Sequence, residues 1–422
     1  MPLHAASQAS ANTSAKGSQA LHFGRNTQMT TRKLLCSAAI GALVAGPAMA
    51  DVTLGYLADL SGATSVLSGE GSRIAIEMAI EDFGGEVLGE PIELLSADHL
   101  SQADTGISIV REWIDVEGVN VVLSADNSAV ALAVSPILAE AAIPMLHGAS
   151  TSALTNDQCA PLQIQALMDT YGLSRAITVP LVEAGNDRWF FMTVDYAFGQ
   201  ALEAAGTAAI EDAGGTVVGS IRHSPEDIDF SAYLLEAQAS GANAIGLATF
   251  GAWQIAIAKQ ADEFGMDLPL VPYFLGITDV EAAGIENLQG IRGAVQFYWN
   301  ENDATRAFSA RFEERYGRPP TFTNAMMYET VTHYLESVAT AGTTDGPAVD
   351  AAFRATPIDM IRGGTTTVRE DGRQVRPMLI YETRTPEEVT TDWDFFEIVG
   401  EADADSLLLP PEQSTCTLLN AG

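Results

Sequence analysis

The sequence predicts an α/β fold built as two doubly wound parallel-sheet units, and three observations predict it. Apolar runs of strand length alternate with helix-period stretches from Val52 to Ala149. The same alternation restarts at Arg188, with no long Pro, Gly or Ser linker between the two units. At 422 residues, 47 % hydrophobic and 18 % charged, the chain is long enough for two domains and too apolar for global disorder.

In the first unit the strand-like runs are VTLGYLA (52–58), PIELLSA (91–97), VNVVLSA (119–125) and IPMLHGA (143–149). Between them lie SRIAIEMAIEDF, ADTGISIVREWIDV and SAVALAVSPILAEA, whose apolar residues recur at helical spacing. Four strands alternating with three helices imply a parallel sheet with right-handed crossovers. The second unit offers RWFFMTV (188–194), TVVGSIR, NAIGLATF, LPLVPYF and GAVQFYW, again with amphipathic helices between. From Thr305 to about Gly342 the pattern is helical, and TTTVRE and RQVRPMLIYE then flank Asp371 and Gly372, a dipeptide that favours a tight hairpin. Two such sheets face a cleft outside the carboxyl ends of their strands, which is where open α/β sheets bind ligands.

Charge is unevenly placed. The chain sets 21 Lys and Arg against 55 Asp and Glu, a formal charge of −34, yet the first fifty residues hold Lys16, Arg25, Arg32, Lys33 and no acid. Residues 29–50 read as a secretory signal peptide: Arg32 and Lys33, an apolar run from Leu34 to Val44, then Ala48 and Ala50 before a mature start at Asp51. Residues 1–28 read as an upstream leader. The apolar run is shorter than the roughly 20 residues a spanning helix needs, and Cys36 lies near its start instead of following it, which argues against lipidation. The acidity and the lack of a basic stripe exclude nucleic acid as a partner. With no run of five like charges, it reads as a solvated acidic surface suited to saline surroundings. Beyond the signal only Cys159 and Cys416 remain, and in an oxidising compartment they are either a disulfide or two buried thiols.

Enzyme readings fail in turn. GEGSRI (69–74) follows a strand and opens a helix, but Ile74 stands at the third glycine of a dinucleotide fingerprint. GASTS (148–152) ends in Ser152 where a nucleophile elbow needs Gly, and no Walker or HExxH motif occurs. His99, His147, His223 and His333 lack ligand spacing, so neither metal nor cofactor is expected. Hydroxyl residues just beyond strand ends say more. Asp126, Asn127 and Ser128 follow one strand, and Ser150, Thr151 and Ser152 follow the next. Helix-start N–H groups aided by such hydroxyls can hold a carboxylate, although Asn127 or Ser128 could equally be a helix cap.

A resemblance rests on ADLSG (58–62), AIEMAIEDFGG (75–85), RWFFMTVDYAFGQALE (188–203), DFSAYLLEAQASGANAIGLA (229–248), GITDV (276–280) and FYWNENDATRAFSARFEERYGRPPT (297–321). Through these the mature chain resembles periplasmic solute-binding proteins of ABC transporters, in the leucine/isoleucine/valine-binding branch of class I. The resemblance implies two lobes joined by three crossovers: lobe 1 at 51–165 plus 302–375, lobe 2 at 166–301 plus 376–400, and a tail at 401–422 returning to Cys159. It implies that Ser128, Ala149 and Ser150, with Asn127 and Thr151 beside them, hold a carboxylate, and that Ser65 and Leu67 face the cleft. Tyr196, Phe198 and Phe250 would close it from the second lobe. Thr278 or Asp279 matches the position that meets an α-ammonium, with a capping role open for Asp279; Asp195 is a second cation candidate or a turn residue. Phe250, where an amino-acid binder can offer a tyrosine, leaves room for keto acids and aromatic carboxylates. The function implied is capture of a branched-chain-type amino acid or related small carboxylate for an inner-membrane permease, with no bond made or broken. The alternative is a sensing module for a short keto acid or aromatic carboxylate that signals to a receptor.

Overall fold

A computed structural model describes residues 52–420 except Ala63 and Ala125. The expected leader, the signal peptide and Asp51 lie outside the described residues. The first sheet holds β1 (Val52–Ala58), β2 (Glu86–Val87), β3 (Glu90–Asp98), β4 (Val121–Ser124), β5 (Met145–His147) and β6 (Gln163–Gln165) in the order β2-β3-β1-β4-β5-β6. All pairings are parallel except the β2–β3 hairpin at one edge. Every residue of β1 is buried, as expected of a strand covered by helices on both faces. The helices α1 (Gly69–Phe83), α2 (Ala103–Glu112) and α3 (Ser128–Glu140) follow β1, β3 and β4. α2 continues into a π-helical turn, Trp113–Glu117, and the Trp113 ring lies so close to β1 that a Cβ at Gly55 would come within 2.6 Å of it.

The second sheet holds β7 (Arg188–Val194), β8 (Thr216–His223), β9 (Ala244–Ala248) and β10 (Leu270–Pro272), all parallel, in the order β10-β9-β7-β8. α4 (Thr170–Glu183), α5 (Ala197–Asp212), α6 (Ser231–Ala239), α7 (Gly251–Glu263) and α8 (Ile277–Ala283) accompany it. One expectation is corrected here. GAVQFYW does not add a strand to this sheet: β11 (Arg292–Val295) begins a separate antiparallel one. Gly293 allows this, because the Tyr381 ring from the neighbouring strand occupies the space a side chain would need.

Beyond it come α9 (Asp303–Tyr316), α10 (Phe322–Ala341) and α11 (Gly346–Ala355). α10 packs along α1, tied by the Tyr328 hydroxyl to Asp82, and α9 is tied to the same helix by Arg311 to Asp82 and Arg315 to Glu81. The short strands β12 (Ile358–Asp359), β13 (Thr365–Val368) and β14 (Gln374–Val375) form the expected hairpin region, with Gly372 at φ 88° in the turn. β15 (Met378–Thr383) and β16 (Phe396–Ala402) complete the antiparallel sheet in the order β11-β15-β16.

Where the chain leaves β6 for α4, buried charges fasten it. Arg373 donates to the carbonyls of Gln165 and Leu167, at 3.2 and 2.8 Å, and faces Asp169 at 3.3 Å. Nearby, Arg376 and Glu329 form a second buried pair. Removing one partner of such a pair strands a charge, which costs about 3–5 kcal/mol. The segment after β16 runs past α4, where Gly172 abuts the Leu407 carbonyl, and Arg369 donates to Leu409 O at 2.7 Å. Asn156 then accepts from Thr415 N at 2.7 Å, and Cys416 is joined to Cys159 by a disulfide.

Candidate ligand-binding site

The loop after β1, residues 59–68, is held by two buried carboxylates. Asp59 accepts from Gly62 N and Thr64 N at 2.7 and 3.1 Å, and from the hydroxyls of Thr64 and Ser101 at 2.9 and 3.2 Å. Asp126, just after β4, accepts at Oδ2 from Asp59 N, the Thr64 hydroxyl and the Ser68 hydroxyl, at 3.0, 2.9 and 3.0 Å. Its Oδ1 meets Asn127 N at 2.7 Å and His99 Nε2 at 3.0 Å. Ser101 N donates to His99 Nδ1, so Nε2 is the nitrogen left to donate toward Asp126. Burial raises the Asp126 carboxyl, but the His99 ring, the Asp59 N–H and the Thr64 hydroxyl outweigh it and hold the pKa below the ordinary aspartate value. The same loop is clamped to the start of α10: Leu67 O accepts from Thr321 and Thr323 hydroxyls and from Asn324 Nδ2.

Opposite stand aromatic rings at the carboxyl edge of the second sheet. Tyr196 and Phe250 are the N-caps of α5 and α7, in extended backbone, so each side chain leaves its strand end before the helix begins. Phe198 and Phe250 meet edge to face at 5.5 Å, Tyr196 and Phe250 at 6.4 Å, and Phe198 and Phe274 at 5.8 Å. Such geometry is favoured by the ring quadrupoles. Between these walls lies a cavity of about 30 Å³ lined by Thr64, Leu67, Asp126, Gly148, Ser150 and Thr323 on one side and by Leu167, Tyr196, Phe198, Phe250 and Phe274 on the other. A larger depression of about 500 Å³ sits at the amino ends of β10 and β11, near Met266 and Arg292. That is the wrong edge for ligand capture in an open α/β sheet.

Residues 51–387 match the family model for periplasmic binding proteins. The chain belongs to the periplasmic binding protein family. A periplasmic binding protein of Burkholderia mallei shares 35 % identity and superposes with a TM-score of 0.85 over 87 % of this chain and 99 % of that one. A branched-chain amino acid ABC transporter periplasmic ligand-binding protein of Burkholderia xenovorans LB400 shares 34 %, with a TM-score of 0.79 over 87 % and 100 %. Leu/Ile/Val-binding protein homolog 3 of Brucella melitensis is 26 % identical over 385 residues, 87 % of this chain and 99 % of its own length. The family is one of binding proteins, and the two-lobed class I fold read from the sequence is the fold observed. Among the described residues no helix is long and apolar enough to cross a membrane.

Of the residues singled out from sequence, this periplasmic binding protein brings Leu67, Ser150, Tyr196, Phe198 and Phe250 to one cavity. The others lie elsewhere. Ser65 donates to Gly62 O at 2.7 Å within its own loop, and its neighbours Thr64 and Leu67 line the cavity instead. Asn127 takes the capping alternative, its Oδ1 accepting from Ala129 N and Val130 N. Ser128 is the first residue of α3, with a buried hydroxyl that has no partner among the described residues. Ala149 O accepts from Gln165 Nε2 at 2.6 Å, and Thr151 caps the turn Ser152–Thr155. Thr278 and Asp279 are buried on α8 outside the cavity lining. Asp279 is the third residue of that helix, and its carboxylate accepts from Gly276 N at 2.8 Å. Burial pushes it up to about 6. Asp195 faces solvent, bonded by Gln200 and 3.7 Å from Arg222. Sequence reasoning missed Asp126, Thr64, Phe274 and Thr323. Asp126 had been grouped with Asn127 and Ser128 as a strand-end residue, and nothing local marked its burial.

Proposed function

We propose that this chain is the extracytoplasmic binding protein of an ABC importer, capturing an amino acid of the branched-chain type, or a related small carboxylate, between its two lobes. The observation that carries the reading is the cavity where a hydroxyl-lined edge of one sheet faces an aromatic edge of the other. Ser150 and the chain around Gly148 would receive the ligand carboxylate, with Ser128 at the start of α3 behind it. Tyr196, Phe198 and Phe250 would cover its apolar part. The lobes are taken as 51–165 plus 302–375 and 166–301 plus 376–400. A cavity this small has to open to admit an amino acid, so ligand entry and lobe closure are one event, and the closed form is what a permease would read. The signal peptide at 29–50 supports delivery to the periplasm. A sensing module for an aromatic carboxylate is the second reading, favoured by the ring-lined wall.

A thermal-shift screen with aliphatic amino acids, short 2-oxo acids and aromatic carboxylates tests it, since a ligand of the folded state raises the midpoint. At least one class is expected to do so. The double substitution Ser128→Ala with Ser150→Ala is expected to weaken that ligand at least tenfold while leaving the protein folded, because hydrogen bonds to a charged group are worth about 1.5–3 kcal/mol. Undiminished affinity in the double variant overturns the carboxylate site.

A further inference from the structure

Among the side chains that line the cavity, Asp126 is the one that carries a formal charge at neutral pH; no Lys, Arg or His lines it. The titratable base that meets it is His99, with Nε2 3.0 Å from Oδ1. The hydrogen bonds around His99 are those of a neutral imidazole, accepting at Nδ1 and donating at Nε2. The second carboxylate, Asp59, shares the Thr64 hydroxyl with Asp126, and one hydroxyl proton can serve only one of them at a time. Neither carboxylate meets an Arg or Lys in an ion pair among the described residues. The facing wall is made of the aromatic rings of Tyr196, Phe198, Phe250 and Phe274, none of which is a cation. Tyr196 lies within electrostatic reach of Asp126, because burial and then the Asp126 charge both push its hydroxyl pKa upward.

A buried negative charge on one wall, faced by aromatic rings that bring no cation, makes the space between them attractive to a cation and hostile to a bare anion. The Asp126 oxygens already face five donors from its own lobe, the Thr64 hydroxyl among them being shared with Asp59. Its charge therefore acts through the wall as a fixed field, and the ligand's N–H groups are left the Thr64 hydroxyl as a direct partner, Ser150 being taken by the carboxylate. Resting on the cavity being the binding site, we propose that Asp126 selects ligands bearing a cationic nitrogen, so that the protein takes a zwitterionic amino acid and rejects 2-oxo acids and benzoate-like carboxylates. The ammonium is thus recognised from the first sheet's edge. The residues matched to it from sequence, Asp279 and Asp195, lie off the cavity.

Matched pairs test this by calorimetry on the whole protein: leucine, valine, alanine and phenylalanine, each beside its own 2-oxo acid, with benzoate added. The expected result is at least one amino acid bound a hundredfold tighter than its 2-oxo partner, with benzoate weaker still. Asp126→Asn should weaken the amino acid at least tenfold and leave the 2-oxo acid unchanged or tighter, whereas a purely structural role would weaken both alike. Equal or preferred binding of a 2-oxo acid or benzoate by the wild type overturns the inference and leaves the capture reading standing. If nothing in the panel binds, the capture reading falls and this one with it. Should Asp126→Asn fail to fold, the wild-type ratio decides alone.

Discussion

At the carboxyl edge of the first sheet the polar groups lining the cavity are one carboxylate and several hydroxyls, and that carboxylate, like Asp59 beside it, is surrounded by donors from neighbouring loops. At the same edge of the second sheet they are aromatic rings held by one another. The first wall needs distant parts of the chain to agree: Asp59 and Asp126 are 67 residues apart. The second is assembled from rings just past strand ends, Tyr196 and Phe250, whose helices begin at the next residue. A polar wall can be altered at one hydroxyl without disturbing its packing. In an aromatic wall each ring is also part of the core, so recognition and stability share the same atoms.

The two lobes also differ in what they bury, and pH exposes this. On β5, His147 is fully buried with no hydrogen bond of normal geometry to either ring nitrogen, and burial pushes it down to about 3. The unfolded chain takes up a proton near 6.5 that the folded one refuses. The stability tied to this group is therefore complete above pH 6.5 and is lost as pH falls toward 3, at about 1.4 kcal/mol per unit. His147→Gln should flatten the acid limb of stability measured by urea unfolding at pH 7, 5 and 4, by up to about 3.5 kcal/mol. Parallel acid limbs in the two proteins would contradict the assignment.

Next in size is the asymmetry between the walls. Phe250→Ala should cost about 3 kcal/mol, because Phe250 touches Tyr196, Phe198, Trp253 and Phe274. Ser150→Ala should change stability by no more than about 1 kcal/mol, since its hydroxyl makes only a 3.5 Å contact with Gly148 O. Equal losses in the two variants, compared by denaturant midpoint, would show that the walls are not built differently.

Smallest is the acid of the second lobe, which responds to pH in the opposite sense to His147. Asp279 is raised from 3.8 to about 6 by burial, so the folded state holds its proton more tightly than the unfolded one. Its contribution is present below pH 3.8 and is lost as pH rises to 6, amounting to about 2–3 kcal/mol. Asp279→Asn should be near neutral at pH 4 and stabilising at pH 7; a variant no more stable at pH 7 than the wild type would refute this.

What the sequence reveals follows the range of the interactions. β1 and β7 were legible because a buried parallel strand is apolar along its whole length, and the hairpin near Gly372 because Asp-Gly announces its turn. β6 was not. Its residues are Gln-Ile-Gln, and both glutamines are buried only because Leu154, Ala149 and Ser135 meet their side chains. β11 was placed in the wrong sheet, since an apolar run states that it is a strand without naming its neighbour. The rings of the second wall and Ser150 could be matched through family resemblance, being adjacent to recognisable strand ends. Asp126 could not, because its burial depends on a loop that follows a different strand.

The Cys159–Cys416 bond gives the molecule a covalent shape that its linear sequence does not have. From one cysteine to the other the backbone is a closed ring, and the whole second sheet lies on it. A protease that nicks one exposed loop of that ring converts it to a branched chain and releases no fragment. Two cuts are needed before any piece can leave.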